Sequence, residues 1–139
     1  MTNEELISVI DQYNVEVIIL AGFMRILSSN FISKYFGKIL NIHPSLLPKF
    51  PGLNTHQKAI ESSEKIHGAS VHFVTVKLDG GPVIAKETVS IDPKDDATTL
   101  AKKVLQKEHI LYPKVIQWYT QKRLKLIDES TATLDGRIL

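Results

Sequence analysis

The residues best suited to chemistry lie in LNIHPSLLPKFPGLNTH, Leu40 to His56, and in LDGGP, Leu78 to Pro82. An amide, Asn41, and an imidazole, His43, stand one residue apart where an apolar run ends. If the chain stays extended through Ile42, the two side chains share a face while Ile42 points into the core, so one site can use both. Pro44 restrains His43 to extended backbone, and Pro48 and Pro51 stiffen the loop that follows, leaving little entropy for a ligand to remove. Asp79 stands where Gly80 and Gly81 permit a sharp turn and close approach of backbone to a ligand. An aspartate beside an imidazole favours the imidazolium, which is a better proton donor at neutral pH. The residue types therefore point to proton transfer, provided that Asp79 converges on His43. The same residues also suit a rigid turn with a capping asparagine and an aspartate before glycine.

Other groupings point less clearly to chemistry. His67 and His72 are five apart, a spacing that sends strand side chains to opposite faces, and read as a loop and a sheet histidine rather than a joint metal site. Ser45 follows His43 by two residues, but no G-x-S-x-G elbow exists, and neither G-x-G-x-x-G nor a Walker loop occurs. Glu108 and His109 fall within a helical stretch, where a solvated Glu and a half-buried His are the ordinary expectation.

The elements that must position these residues follow from periodicity. Residues 3–13 read as a short amphipathic helix capped by Thr2 or Asn3. VEVIILAG, residues 15–22, reads as a parallel strand buried on both faces. SSNFISKYFG offers Ser29 or Asn30 as a helix cap and Gly37 as its end, and KILNI reads as a second buried strand, together a βαβ unit. Thr55 can cap a helix reaching about Ser63, while ASVHFVTV and VIAKETVSI alternate as strands around the LDGGP turn. From Asp95 a long amphipathic helix runs with Pro113 expected to kink or restart it, and RLKLID with the Asp135–Gly136 turn closes the chain as a small strand or hairpin. The fold class is α/β, two parallel strands followed by a more antiparallel region, with helices on both faces. In such open sheets ligands bind beyond the carboxyl ends of strands, where Asn41 and His43 stand.

Composition narrows the function classes. The 139 residues are 43% apolar and 23% charged, which fits one globular domain. Seventeen basic and fifteen acidic residues are scattered along the chain, giving +2 without a basic block, so neither nucleic acid nor a membrane surface is indicated as partner. The absence of cysteine excludes disulfides, thiolate metal sites and cysteine nucleophiles. Glu4 and Glu5 stand where a signal peptide would be basic, and VIILAGFM is far short of a membrane span, so a soluble, cytoplasmic protein is expected.

In this order and spacing AGFMRIL, NIHPSLLPKFPGLNTHQKAIE, HGASVHFVTVKLDGGPVI and QKEHILYP resemble the folate-dependent formyltransferase family, in particular its members that act on glycinamide ribonucleotide. The resemblance implies a Rossmann-like, mostly parallel sheet with an antiparallel C-terminal part. It implies transfer of a formyl group from 10-formyltetrahydrofolate to the amine of glycinamide ribonucleotide in purine biosynthesis, with no covalent enzyme adduct and no metal. Asn41, His43 and Asp79 would be catalytic: the amide and the imidazolium are donors suited to the oxyanion that forms at the formyl carbon. Met24, Arg25, Ile26 and Leu27 would line the pterin pocket with Asn41, Thr75 and Asp79, and Pro44 and Glu108 would contact the nucleotide, Glu108 at its ribose. A non-catalytic folate-binding remnant and a related formyltetrahydrofolate hydrolase are the alternatives. The resemblance also implies that residues 1–139 form the C-terminal two-thirds of the catalytic domain, the N-terminal βαβ portion and its phosphate-binding loop being absent. Self-association, or complementation by that missing half, is the expected consequence.

Overall fold

The computed structural model describes residues 1–22 and 26–139, so Met24 and Arg25, expected at the pterin pocket, lie outside the described residues. Helix α1 (Asn3–Asp11) opens with a capping box in which Thr2 Oγ1 accepts from the Glu5 N–H and the Glu5 carboxylate accepts from the Thr2 N–H. Asn3, the other candidate cap, instead accepts the Ser28 N–H through Oδ1 at 3.1 Å, tying α1 to the start of α2 (Ser29–Lys34). The cap of α2 is Ser28, ahead of the expected Ser29 or Asn30; its backbone is extended, and its Oγ accepts from the Phe31 N–H.

Strand β1 (Ile18–Leu20) is shorter than residues 15–22 and is not buried on both faces. Ile18 and Leu20 pack with α1 and α2 around Phe31, Ile32, Tyr35 and Ile39, but Ile19 on the other face is 42% exposed because little covers that side. Strand β2 (Ile39–His43) runs parallel to β1, with Leu20 registered opposite Asn41. Helix α3 (Thr55–Glu61) follows the proline-rich loop. Thr55 is its first residue rather than its cap: Asn54 takes the cap position in left-handed backbone, and the Thr55 hydroxyl donates to the Pro44 carbonyl at 2.5 Å.

Strands β3 (Ile66–Phe73) and β4 (Val83–Ser90) pair antiparallel, and β3 also pairs antiparallel with β2. The sheet order is β1-β2-β3-β4, so parallel pairing among the described strands is confined to β1 and β2. Gly81, after the turn, lies so close to β3 that a Cβ there would sit 1.9 Å from the Phe73 carbonyl oxygen. The close approach this glycine allows is to β3 backbone, and Asp79 itself takes the left-handed conformation, at φ 51°.

Helix α4 (Ala97–Thr120) covers the sheet face opposite α1 and α2, packing Leu100, Val104, Leu111, Tyr112 and Val115 inward. It neither stops nor restarts at Pro113. The carbonyl that Pro113 leaves without an N–H belongs to exposed His109, while buried Leu111, Tyr112 and Val115 anchor the helix around the break. The chain ends in a separate antiparallel sheet of β5 (Leu124–Asp128), β6 (Thr131–Leu134) and β7 (Arg137–Ile138), one strand more than a hairpin. Leu124 and Ala132 carry this sheet into the α4 core.

That core sets an expected outcome. Leu111 is fully buried and Leu105, on the same helix, is 48% exposed. Leu111→Ala should lower the free energy of unfolding by ~2–5 kcal/mol and Leu105→Ala by less than ~0.5 kcal/mol in urea titrations. Equal effects at the two positions would contradict the assigned core face.

Candidate active site

Strand β2 stays extended through His43, and Ile42 enters the α4 core, so Asn41 and His43 do share the opposite face. The antiparallel register places His72 opposite Asn41 and Ser70 opposite His43, adding two β3 side chains to the same face. His72 Nδ1–H donates to the Phe73 carbonyl at 3.0 Å, which leaves Nε2 as the acceptor for an Asn41 amide N–H at 3.2 Å. Only neutral imidazole satisfies both contacts. Burial pushes the His72 pKa down, opposed by its bond to Phe73 and by Asp79. His72 is thus more than the sheet histidine expected from sequence: it fixes the amide of Asn41.

Asp79 is carried in by the turn between β3 and β4. Its Oδ2 accepts the Gly52 N–H at 2.8 Å and lies 3.6 Å from His43 Nδ1, while Oδ1 lies 3.9 Å from His72 Nε2. The convergence needed for proton transfer is therefore present, in a nearly solvent-free setting. On its other side His43 Nε2–H donates to the Phe50 carbonyl at 2.8 Å. Phe50 stands at φ 54°, a strained conformation for an aromatic residue, and its carbonyl is thereby turned back toward β2.

A cleft beside this group is lined by Leu20, Ile26, Leu27, Asn41, Thr75 and Asp79, together with His72, Val74 and Leu78. Five of the expected pocket residues, Ile26, Leu27, Asn41, Thr75 and Asp79, thus share one cleft; Met24 and Arg25 lie outside the described residues. His43, Pro44 and Glu108 do not line it; His43 meets it through its contact with Asp79, which does. Pro44 uses its carbonyl to hold Thr55. Glu108 is half-buried and His109 exposed, the reverse of the expectation, because residue 108 falls on the inward stripe of α4 between Val104 and Leu111. Burial raises the Glu108 pKa, offset in part by His109. A carboxylate on the apolar stripe of a helix was the available sequence signal for a buried acid. Tyr112 gave no such signal, yet its hydroxyl lies 2.6 Å from the Leu20 carbonyl and 3.1 Å from that of Leu40, clamping the end of β1 and the first half of β2 to α4.

His67 lies within β3 rather than in a loop, because that strand starts earlier than the expected ASVHFVTV. Its Nε2 meets His56 Nδ1 of α3 at 3.1 Å, and Phe50 packs against it at 6.2 Å between ring centroids. One proton can lie between the two nitrogens, so both rings cannot be charged without repulsion. Burial, then the charges of His56 and His43, bring the His67 pKa down to about 4; burial and His43 also lower that of His56. Among the described residues no group of three or more histidines and carboxylates is placed to hold a metal ion.

The His67 shift has a definite sign. Its folded pKa of about 4 lies below its ordinary 6.5, so between these values the unfolded chain binds the extra proton. Stability should be complete above the upper value and fall by up to ~3 kcal/mol as pH drops to the lower. Urea unfolding across that window is the measurement; a flat profile would contradict a buried neutral His67.

Most of the chain is similar to known proteins. Residues 1–116 match the formyl transferase family. The chain is 52% identical to the phosphoribosylglycinamide formyltransferase of Escherichia coli over 99% of its own length and 64% of that protein. The structure of the phosphoribosylglycinamide formyltransferase of Coxiella burnetii superposes with a TM-score of 0.93 at 47% identity, covering 99% of this chain and 64% of that one. A formyltetrahydrofolate deformylase from Pseudomonas syringae is more distant, with a TM-score of 0.88 at 25% identity over 94% of this chain and 44% of that one. The chain thus spans less than two-thirds of the length of these proteins.

Proposed function

This chain belongs to the formyl transferase family, and we propose that its cleft transfers the formyl group of 10-formyltetrahydrofolate to the primary amine of glycinamide ribonucleotide, in the cytoplasm. The observation that carries the reading is the meeting of Asn41, His43 and Asp79 beside a cleft with both apolar and polar walls. The folate ring would enter between Ile26, Leu27 and the Thr75–Asp79 turn, with Met24 and Arg25 contributing to the same pocket. Pro44 and Glu108 would face the nucleotide, Glu108 at its ribose.

In the proposed reaction the amine nitrogen forms a bond to the formyl carbon, and the carbonyl electron pair moves onto oxygen. One Asn41 amide N–H is committed to His72, and its second N–H, which has no partner among the described residues, would donate to that oxyanion. His43 Nδ1–H would be the other donor. Asp79, at 3.6 Å, attracts a proton on Nδ1 without engaging it in a full hydrogen bond, so the proton can be shared with the reacting oxygen. As the oxyanion collapses, the bond from carbon to N10 of the folate breaks. The proton lost by the attacking amine is delivered to N10, with Asp79 assisting the transfer. Amine rather than water is favoured as acceptor because the two formyltransferases compared above stand at 52% and 47% identity and the deformylase at 25%.

With the site completed by a polypeptide corresponding to the remaining third of the relatives, His43→Ala and Asp79→Ala should each cut formyl transfer by at least ~100-fold, while binding of a folate analogue changes less. Turnover by the His43 variant close to that of the unaltered chain would refute the assignment. Formate release of equal rate with and without glycinamide ribonucleotide would favour the hydrolase reading instead.

The partner reading concerns β1, which has β2 as its only strand partner among the described residues and carries exposed Ile19 beside its open edge. An unpaired edge of this kind recruits another strand. We propose self-association of residues 1–139 through β1, relieved by a polypeptide corresponding to the remaining third of the relatives, which would also supply the phosphate-binding loop. Sedimentation should show oligomers that diminish in Ile19→Lys; a monomer unaffected by that change would refute the proposed edge.

A further inference from the structure

His43, Ser70 and Lys86 form one row across three strands: His43 of β2 is registered with Ser70 of β3, and Ser70 with Lys86 of β4. Side chains paired in this way share a face. The loop leaving β2 folds back over the row and is held there by side chains. Ser70 Oγ accepts the Leu47 N–H at 3.0 Å and donates to the Ser45 carbonyl at 2.7 Å. The Ser45 hydroxyl donates to the Lys49 carbonyl, and the Lys86 ammonium donates to the Leu47 carbonyl. The next residue, Phe50, presents the carbonyl that accepts His43 Nε2–H.

The group that orients His43 is therefore placed by contacts that begin outside its own strand. Ser45 and Ser70 are fully buried neutral donors, whereas Lys86 stands on an exposed position and reaches inward with a charge. A charge-assisted bond to a carbonyl is stronger than its neutral counterpart. We propose that Lys86 is a positioning residue: its ammonium holds the loop from Ser45 to Phe50 against the sheet, so that the Phe50 carbonyl keeps the His43 ring turned with Nδ1 toward Asp79. Without that anchor the loop lifts, Nε2 loses its acceptor, and the ring is free to turn over.

The inference rests on His43 being the reacting group, so its test reads the ring itself and needs no turnover. In the chain labelled with 15N-histidine, exchange of the His43 Nε2–H with water should accelerate about tenfold in Lys86→Ala and return to the unaltered rate in Lys86→Arg. Lys86→Met, which keeps the aliphatic stem, should exchange as fast as Lys86→Ala and serves if the alanine variant fails to fold. An exchange rate unchanged in Lys86→Met, or in a folded Lys86→Ala, overturns the proposal. A chain without formyl transfer but with the expected exchange pattern counts against the proposed reaction and leaves Lys86 in this role.

Discussion

The site depends on the register between β2 and β3. With Asn41 opposite His72 and His43 opposite Ser70, four polar side chains fall on one face, while Leu40, Ile42, Val71 and Phe73 are delivered to the α4 core on the other. The strand period is two, so a slip of one residue would bury the amide and the imidazoles against Val104 and Leu111 and expose the apolar set. The free energy of apolar burial beneath the sheet thereby fixes the geometry above it. Tyr112 strengthens the same constraint by holding the Leu20 and Leu40 carbonyls from the α4 side.

Around the site desolvation sorts the histidines. His56, His67 and His72 all have pKa values lowered chiefly by burial, and each has a neighbour that neutral imidazole satisfies. His43 differs in its surroundings. One of its nitrogens donates to a backbone carbonyl, and the other faces a carboxylate fixed by the Gly52 N–H. Asp79 lies nearer His43 than His72, and that contact sets His43 apart from His56, His67 and His72.

The proline-rich loop completes the arrangement. The loop and α3 supply the Phe50 carbonyl, the Gly52 N–H and His56 from a stretch with few regular backbone bonds, so side chains of Ser45, Ser70, Thr55 and Lys86 hold it instead. Left-handed backbone at Phe50 and Asn54 shows the cost of the path, and Phe50 is the position where that path meets the proposed chemistry.

Much of this was legible in the amino-acid order. Periodicity gave the helices and strands, the one-residue spacing of Asn41 and His43 put them on one face, and the motif order carried the family resemblance that residues 1–116 bear out. Local signals failed where alternatives lay within a residue or two: Ser28 rather than Ser29 caps α2, and Asn54 rather than Thr55 precedes α3. They also could not tell that β1 is covered on one face, or that Pro113 is tolerated by a helix anchored on both sides of it. Tertiary structure decided that Asp79 reaches His43, that His72 belongs to the site, that His67 pairs with His56 and that Glu108 rather than His109 turns inward. The physical reason is common to all four. Spacing along a chain determines which side chains share a face of one element, but strand register, turn closure and loss of solvent determine what faces them, and those arise between residues distant in sequence.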